Sequence, residues 1–257
     1  MKTLEQLPNE LKNLKNEVSK LYYKGDLSLL KRKKVAIVGS RRAINYTKNQ
    51  TYLLANKLSK KGIVVVSGAA LGVDALAHRG AGSKNTIAVV ASGLKHRYPK
   101  TNKNLIADIE QNGLVISRFE PDFLATPWSF VVRNEIIVAL SDVVIITQAD
   151  LNSGSLRSAE FALEHGKEIF VLPHRIGDSE GTNRLLRDGL AKCIYDIDEF
   201  VSSFDSSEDK KMMQDEFYQF CSNFPTVEEA VKLFGDRVFE AELSGDIVIE
   251  NSLIRLA

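Results

Sequence analysis

The sequence predicts an α/β protein whose mainly parallel sheet carries helices on both faces, with a small unit following it. Three observations carry this expectation. Six short apolar runs recur between residues 35 and 172, each ending in a loop of small or polar residues. Two of them, Val35-Ala36-Ile37-Val38 and Ile63-Val64-Val65-Val66, are unbroken and β-branched, as strands buried on both faces of a parallel sheet are. Helical periodicity fills the intervals, which implies βαβ units with right-handed crossovers.

Taken in order, the strands are expected at 35–38, 63–66, 86–90, 114–117, 143–147 and 168–172. Helices are expected near 46–60, 73–81, 101–111, 131–140, 155–165 and 182–190. Ahead of them, Leu4, Leu7, Leu11, Leu14, Val18 and Leu21 recur at heptad-like spacing and predict an amphipathic helix on the core. The polar stretch Ser202–Asp209 reads as a linker. Helical patterns at 211–222, 227–234 and 236–243 follow, then two apolar runs around Glu250-Asn251-Ser252. Three helices and a terminal hairpin predict a winged-helix-like unit. The expected organisation is a basic N-terminal extension (1–34), a sheet domain (35–205) and a C-terminal unit (210–257).

At 257 residues and 44% hydrophobic content the chain can bury a sizeable core. Cys193 and Cys221 make no disulfide framework, and neither they nor the four histidines have metal-ligand spacing, so no metal is expected. No apolar stretch approaches the roughly 20 residues of a membrane span, and the expectation is a soluble, cytoplasmic protein with no membrane partner. The net charge of +1 conceals an asymmetry. Residues 206–257 hold five Lys/Arg and eleven Asp/Glu, whereas residues 1–34 hold nine basic and four acidic ones. Lys31-Arg32-Lys33-Lys34 is either a solvated face or a contact for a polyanion. The acidic tail repels a polyanion, so the C-terminal unit is expected to contact protein.

The loops after the strands carry the candidate binding residues, because ligands of such sheets sit outside the carboxyl ends of the strands. Gly39-Ser40-Arg41-Arg42 joins the first strand to a helix, aiming backbone N–H groups and two guanidinium groups at one spot, which suits a phosphate. Ser67-Gly68-Ala69-Ala70-Leu71-Gly72 does the same after the second strand, and Ser153-Gly154-Ser155 offers hydroxyls after the fifth. Phe130, Arg133 and Asn134 open an apolar helix. An arginine there opposes the helix dipole and calls for an anionic partner, either a ligand or Glu120 or Glu135. Trp128 and Phe130 are large aromatics that serve the core or stack on bases. Neither glycine loop is a GxGxxG or GxxxxGK[ST] fingerprint, so no cofactor is expected. No nucleophile, base and orienter can be assembled, and His78 reads as a structural hydrogen-bonding residue.

These residues, with Ala77-His78, Gly93-Leu94, Tyr98-Pro99, Leu156, Gly181-x-Asn183 and Leu21–Leu27, match in order and spacing a family of DNA-processing proteins. Over roughly residues 20–200 the chain resembles the DprA (Smf) family. The resemblance implies an extended Rossmann-like domain that binds single-stranded DNA, guards incoming strands in natural transformation and loads the recombinase RecA. It implies a homodimer and no catalytic activity. Carried onto this chain, it implies DNA contacts from Arg41 or Arg42, Lys100, the Gly68 loop, Phe130, Arg133 and Asn134. The chain departs from the family pattern with Ser117-Arg118 in place of Ser-Glu and Pro173-His174 in place of Pro-Gly, and residues 1–34 stand where the family often has a helix-hairpin-helix-like domain. The fold also resembles nucleoside-monophosphate phosphoribohydrolases, an enzyme alternative. Those need a glycine-pair loop followed closely by Thr and Glu, whereas Leu156-Arg157 follow Ser155 here and Glu160 lies too far on.

Overall fold

The computed structural model describes residues 2–12, 14–15, 17–204 and 215–256. They fall into two compact units divided between Val201 and Ser202. The larger unit is built on one sheet of nine strands: β1 (Lys2–Thr3), β2 (Tyr22–Gly25), β3 (Lys34–Val38), β4 (Val64–Ser67), β5 (Thr86–Val89), β6 (Leu114–Ser117), β7 (Val143–Ile146), β8 (Glu168–Val171) and β9 (Lys192–Cys193). Their order is β1-β2-β6-β5-β4-β3-β7-β8-β9. All neighbours from β6 to β9 pair in parallel, and β1 and β2 add an antiparallel edge.

The helices are α1 (Asn45–Lys60), α2 (Val73–Ala81), α3 (Lys103–Asn112), α4 (Pro127–Leu140), α5 (Gly154–Glu164), α6 (Glu180–Arg187) and α7 (Ile197–Ser202). Alternate strand residues serve opposite faces, as the pleat requires. Ala36, Val38, Val64, Val66, Ile87 and Val89 pack with Ile136, Ile137 and Leu140 of α4 and Ala159 and Ala162 of α5. On the opposite face Ala88, Val90 and Val115 pack with Ile106 and Ile109 of α3. Val35, Ile37, Val64, Val65 and Val66 are fully buried, which explains why these runs do not alternate. Each such side chain contributes about 1.5–3 kcal/mol over an exposed one. No helix among the described residues is long and apolar enough to cross a membrane.

Residues 2–34 depart from the expected extension with an amphipathic helix. They belong to the larger unit, contributing β1, β2 and two short 3-10 turns, Asn9–Leu11 and Leu27–Lys31. Leu11, Leu14, Val18 and Leu21 are buried as their spacing suggested, but in irregular backbone laid against the α4 face of the sheet. Pro8 has no N–H to give and disfavours helix at the residue before it, so tertiary burial decides the conformation.

From β3 the chain steps outward through β4, β5 and β6, then returns to place β7 on the other side of β3. The loops leaving β3 and β7 therefore diverge, and a crevice opens between them at the carboxyl edge. The Lys31–Lys34 run lies at the other edge. Lys34 begins β3 and Gly39 follows its end, about 17 Å away at 3.3 Å per residue. Arg32 donates to the Asn85 side chain and the Gly62 carbonyl, and Lys34 donates to the carbonyls of Leu30 and Arg32. Arg32 and Lys34 thus tie strand starts together, while Lys31 and Lys33 are exposed.

In the smaller unit, α8 (Glu216–Cys221), α9 (Val227–Phe234) and α10 (Arg237–Ser244) precede a hairpin of β10 (Ile247–Glu250) and β11 (Leu253–Leu256). Phe217, Cys221, Ala230, Val238, Ala241, Ile247 and Ile254 form its core. Thr226 and Glu229 close a reciprocal capping box on α9. The expected linker from 205 onward and the start of the 211–222 helix, at 211–214, lie outside the described residues.

Candidate functional site

A cavity of about 620 Å³ opens at the crevice between the β3 and β7 loops. Gly39, Ser40 and Arg41 form one wall, Phe130, Arg133 and Asn134 of α4 a second, and Ser153, Gly154 and Ser155 at the start of α5 a third. Residues far apart in sequence meet here because each follows a strand end or begins a helix. The Gly154 and Ser155 N–H groups at the start of α5 lack intrahelical acceptors, whereas that of Leu156 donates to the Ser153 carbonyl, and the helix dipole adds positive potential at that wall.

Arg133 is the floor of the cavity and is only 3% exposed. The helix that carries it starts six residues before it, at Pro127, with Thr126 and Ser129 capping each other. Arg133 thus sits in the second turn of α4, rather than at the helix start predicted at residue 131. Its anionic partner is Asp74, at 3.6 Å, in place of Glu120 or Glu135. Nη1 also donates to the Val89 carbonyl at 3.2 Å. The guanidinium fills the space beside Gly68, where any Cβ would overlap Nη1. Burial pushes the Asp74 carboxyl above its usual range, opposed by Arg133 and by the Ala70 and Gly68 N–H groups. Burial likewise lowers Arg133 from its ordinary value, with Asp74 opposing.

Arg41 is exposed and lies over the Phe130 ring, 4.8 Å from its centroid. Arg133 approaches the same ring at 5.9 Å, and the Tyr98 ring is 6.0 Å away. Arg41, Phe130 and Tyr98 also border a smaller slot with Gly68, Ala70, Leu71 and Pro99. Three buried polar atoms around the main cavity have no partner: Arg133 Nε, Ser153 Oγ and Ser158 Oγ. Buried polar groups are rarely left so.

Five of the expected residues do not line either space. Arg42 is exposed outside them, its backbone N–H donating to Ser40 Oγ. Lys100 is exposed at the start of a 3-10 turn. Ser67 is fully buried and donates to the Ile37 carbonyl, so it joins β4 to β3. Gly72 has a φ of 73°, and a Cβ there would meet the Ser40 carbonyl and the Arg41 backbone, so it lets the two loops touch. Ala69 is fully buried with a φ of 54°. That conformation is held by residues the sequence did not single out for it: Asn102 donates to the Ala69 and Ala70 carbonyls at 3.0 Å. His78 Nε2 accepts from the Ala69 N–H, while Nδ1 meets Thr86 Oγ1, which itself donates to the Val65 carbonyl. Burial, then Arg133, pushes His78 down to about 3, so the ring is neutral and structural. Trp128 is exposed beside Phe119 and outside the cavity. Gln148 also went unnoticed; its side chain accepts from Ile44 N–H and its carbonyl from Ser40 N–H, which fixes the β3 loop.

Known proteins match the larger unit in sequence and in fold. Residues 2–205 match the family model described as DNA recombination-mediator protein A. The DNA processing protein DprA of Bacillus subtilis is 36% identical over 200 residues, covering 76% of this chain and 67% of that protein. Protein Smf of Escherichia coli is 38% identical over 174 residues, covering 66% of this chain but 46% of Smf. A solved structure of Helicobacter pylori DNA processing protein A, studied for its single-stranded DNA binding mode, superposes with a TM-score of 0.77 at 46% identity, covering 79% of this chain and 94% of that one. The Streptococcus pneumoniae DprA structure gives 0.72 at 36% identity, covering 78% of this chain and 71% of that one. The match runs along nearly the whole larger unit, so the chain belongs to the DNA recombination-mediator protein A family.

Proposed function

We propose that this protein binds single-stranded DNA through the cavity at the carboxyl edge of the sheet and mediates its recombination. The observation that carries the reading is the convergence of Arg41, Arg133 and the α5 N-terminus on one cavity with three unpartnered polar atoms. Phosphates would sit against the guanidinium of Arg41 and the α5 N–H groups, where charge-assisted bonds are strongest. Bases would turn onto Phe130 and Tyr98, whose faces accept any base. The 46% identity to a relative studied for single-strand binding supports the same ligand class.

The protein acts by binding, with no catalytic step. In support, Asp74 is engaged with Arg133, and both ring nitrogens of His78 are committed to the β4 loop and Thr86. In this proposal it works as a cytoplasmic homodimer that protects incoming DNA during natural transformation and delivers it to RecA. The smaller unit, winged-helix-like in its three helices and hairpin, contacts protein rather than DNA. Its acidic excess supports that division of labour.

Fluorescence-anisotropy titrations with a single strand and a duplex of the same length, over a salt series, test the reading. Tighter binding of the single strand is expected, because strand-end loops can hold a bent backbone and no basic helix among the described residues suits the major groove. Equal or tighter binding of the duplex would overturn it.

A further inference from the structure

A second cavity, of about 600 Å³, opens on the other side of the β3 loop. Ile44, Asn45 and Tyr46 wall it at the start of α1, and Pro173, His174, Arg175 and Asp178 wall it after β8. Arg41 borders the first cavity and Ile44 the second, so their Cα atoms are at most about 11 Å apart. A short stretch of strand covers that distance.

The chemistry of the two cavities differs. The first gathers cations and helix N–H groups. The second offers an aromatic wall, a carboxylate and a guanidinium. The rings of Tyr46 and His174 meet edge to face at 5.6 Å. His174 Nε2 is 2.8 Å from the Thr147 carbonyl, so Nε2–H donates and the ring is anchored to the end of β7. Its Nδ1 is buried and has no partner. Asp178 repels a phosphate but accepts N–H groups, which fits a base and excludes the backbone from this cavity.

We propose that the second cavity is a nucleobase subsite for the same DNA strand and that it selects guanine. The proposal rests on the first cavity being the single-strand site. Guanine alone among the DNA bases sets two N–H donors side by side on its Watson–Crick edge, where a carboxylate such as Asp178 takes both. Its opposite edge carries O6 and N7, the pair an arginine such as Arg175 binds bidentately. Tyr46 supplies the stacking face. Thymine presents one N–H between two carbonyls and leaves Asp178 half satisfied.

The test uses the full chain and fluorescein-labelled oligothymidine carrying one dG, moved through each position in turn. At one position the dG strand is expected to bind about tenfold tighter than all-dT, from stacking and bidentate pairing. Asp178→Asn and Tyr46→Leu should each erase that advantage while changing all-dT affinity less than about threefold. Arg41→Ala should weaken both strands. Absence of a guanine advantage at every position, or its survival in both variants, overturns the subsite. If Arg41→Ala still weakens binding in that case, the first site stands. If Arg41→Ala binds as wild type, the single-strand reading itself fails. Should Tyr46→Leu lower the melting temperature, Asp178→Asn decides, since Asp178 is an exposed loop residue.

Discussion

Replacing Arg41 with alanine isolates the phosphate contact from the fold. The side chain is exposed, and among the described residues no carboxylate stands within ion-pair distance of it. Its interaction inside the protein is the contact with Phe130 at 4.8 Å, worth about 0.5–1 kcal/mol at such a site. Stability should therefore fall by less than about 1 kcal/mol, and any larger loss in DNA affinity reports the ligand. A charge-assisted hydrogen bond contributes about 1.5–3 kcal/mol, so affinity should drop roughly 10- to 100-fold. One lost phosphate contact should also flatten the log–log salt dependence by about 0.7 for a single strand. Arg42→Ala is the matched control, because Arg42 carries the same charge on the same loop outside the cavity. Anisotropy titrations over a salt series, with melting curves of each variant, measure both quantities. Wild-type affinity and slope in a folded Arg41→Ala variant would refute the reasoning.

Three further outcomes follow from the geometry. Asp74→Asn should destabilise the fold, since it weakens a buried ion pair, yet tighten oligonucleotide binding by removing a negative charge beneath the phosphate site; urea unfolding and anisotropy on the same sample check both signs. Gly68→Ala should push Arg133 out of its slot and cost more affinity than Gly154→Ala, where a Cβ meets nothing within 4 Å. For His78, the unfolded chain takes up a proton below its ordinary 6.5, whereas the folded chain does so only near 3. Stability should therefore fall with acid between these values by about 1.4 kcal/mol per pH unit from this residue, and urea midpoints of His78→Asn should show a shallower slope than wild type there.

The six central strands were legible because complete burial on two faces leaves an unbroken β-branched run, and β3 and β4 are the clearest cases. The N-terminal segment was misread for a physical reason. Leucines at every third or fourth position satisfy a helix, but they equally satisfy irregular backbone whose apolar side chains are pinned by a sheet face. Within the site, Arg41, Phe130, Arg133 and Ser153–Ser155 were visible as loop and helix-start residues. The pairing of Arg133 with Asp74 was not, because nothing local links a second turn of one helix to the first turn of another. Asn102 and Gln148 were missed for a related reason: each acts by hydrogen-bonding a distant backbone, which leaves no periodic trace. The helix start at Pro127 did carry a signal, since Thr126-Pro127 with Ser129 has the form of a cap and a first-turn proline.

The central claim, that a single strand lies across the first cavity, is tested most directly by where a bound strand touches the chain. A single-stranded oligonucleotide bearing photoreactive thymine analogues can be cross-linked to the 257-residue chain and the adducts located by mass spectrometry. The account predicts adducts on Phe130 and Tyr98, abolished by excess unlabelled single strand. Adducts confined to residues 215–256 or to the Lys31–Lys34 edge would contradict it.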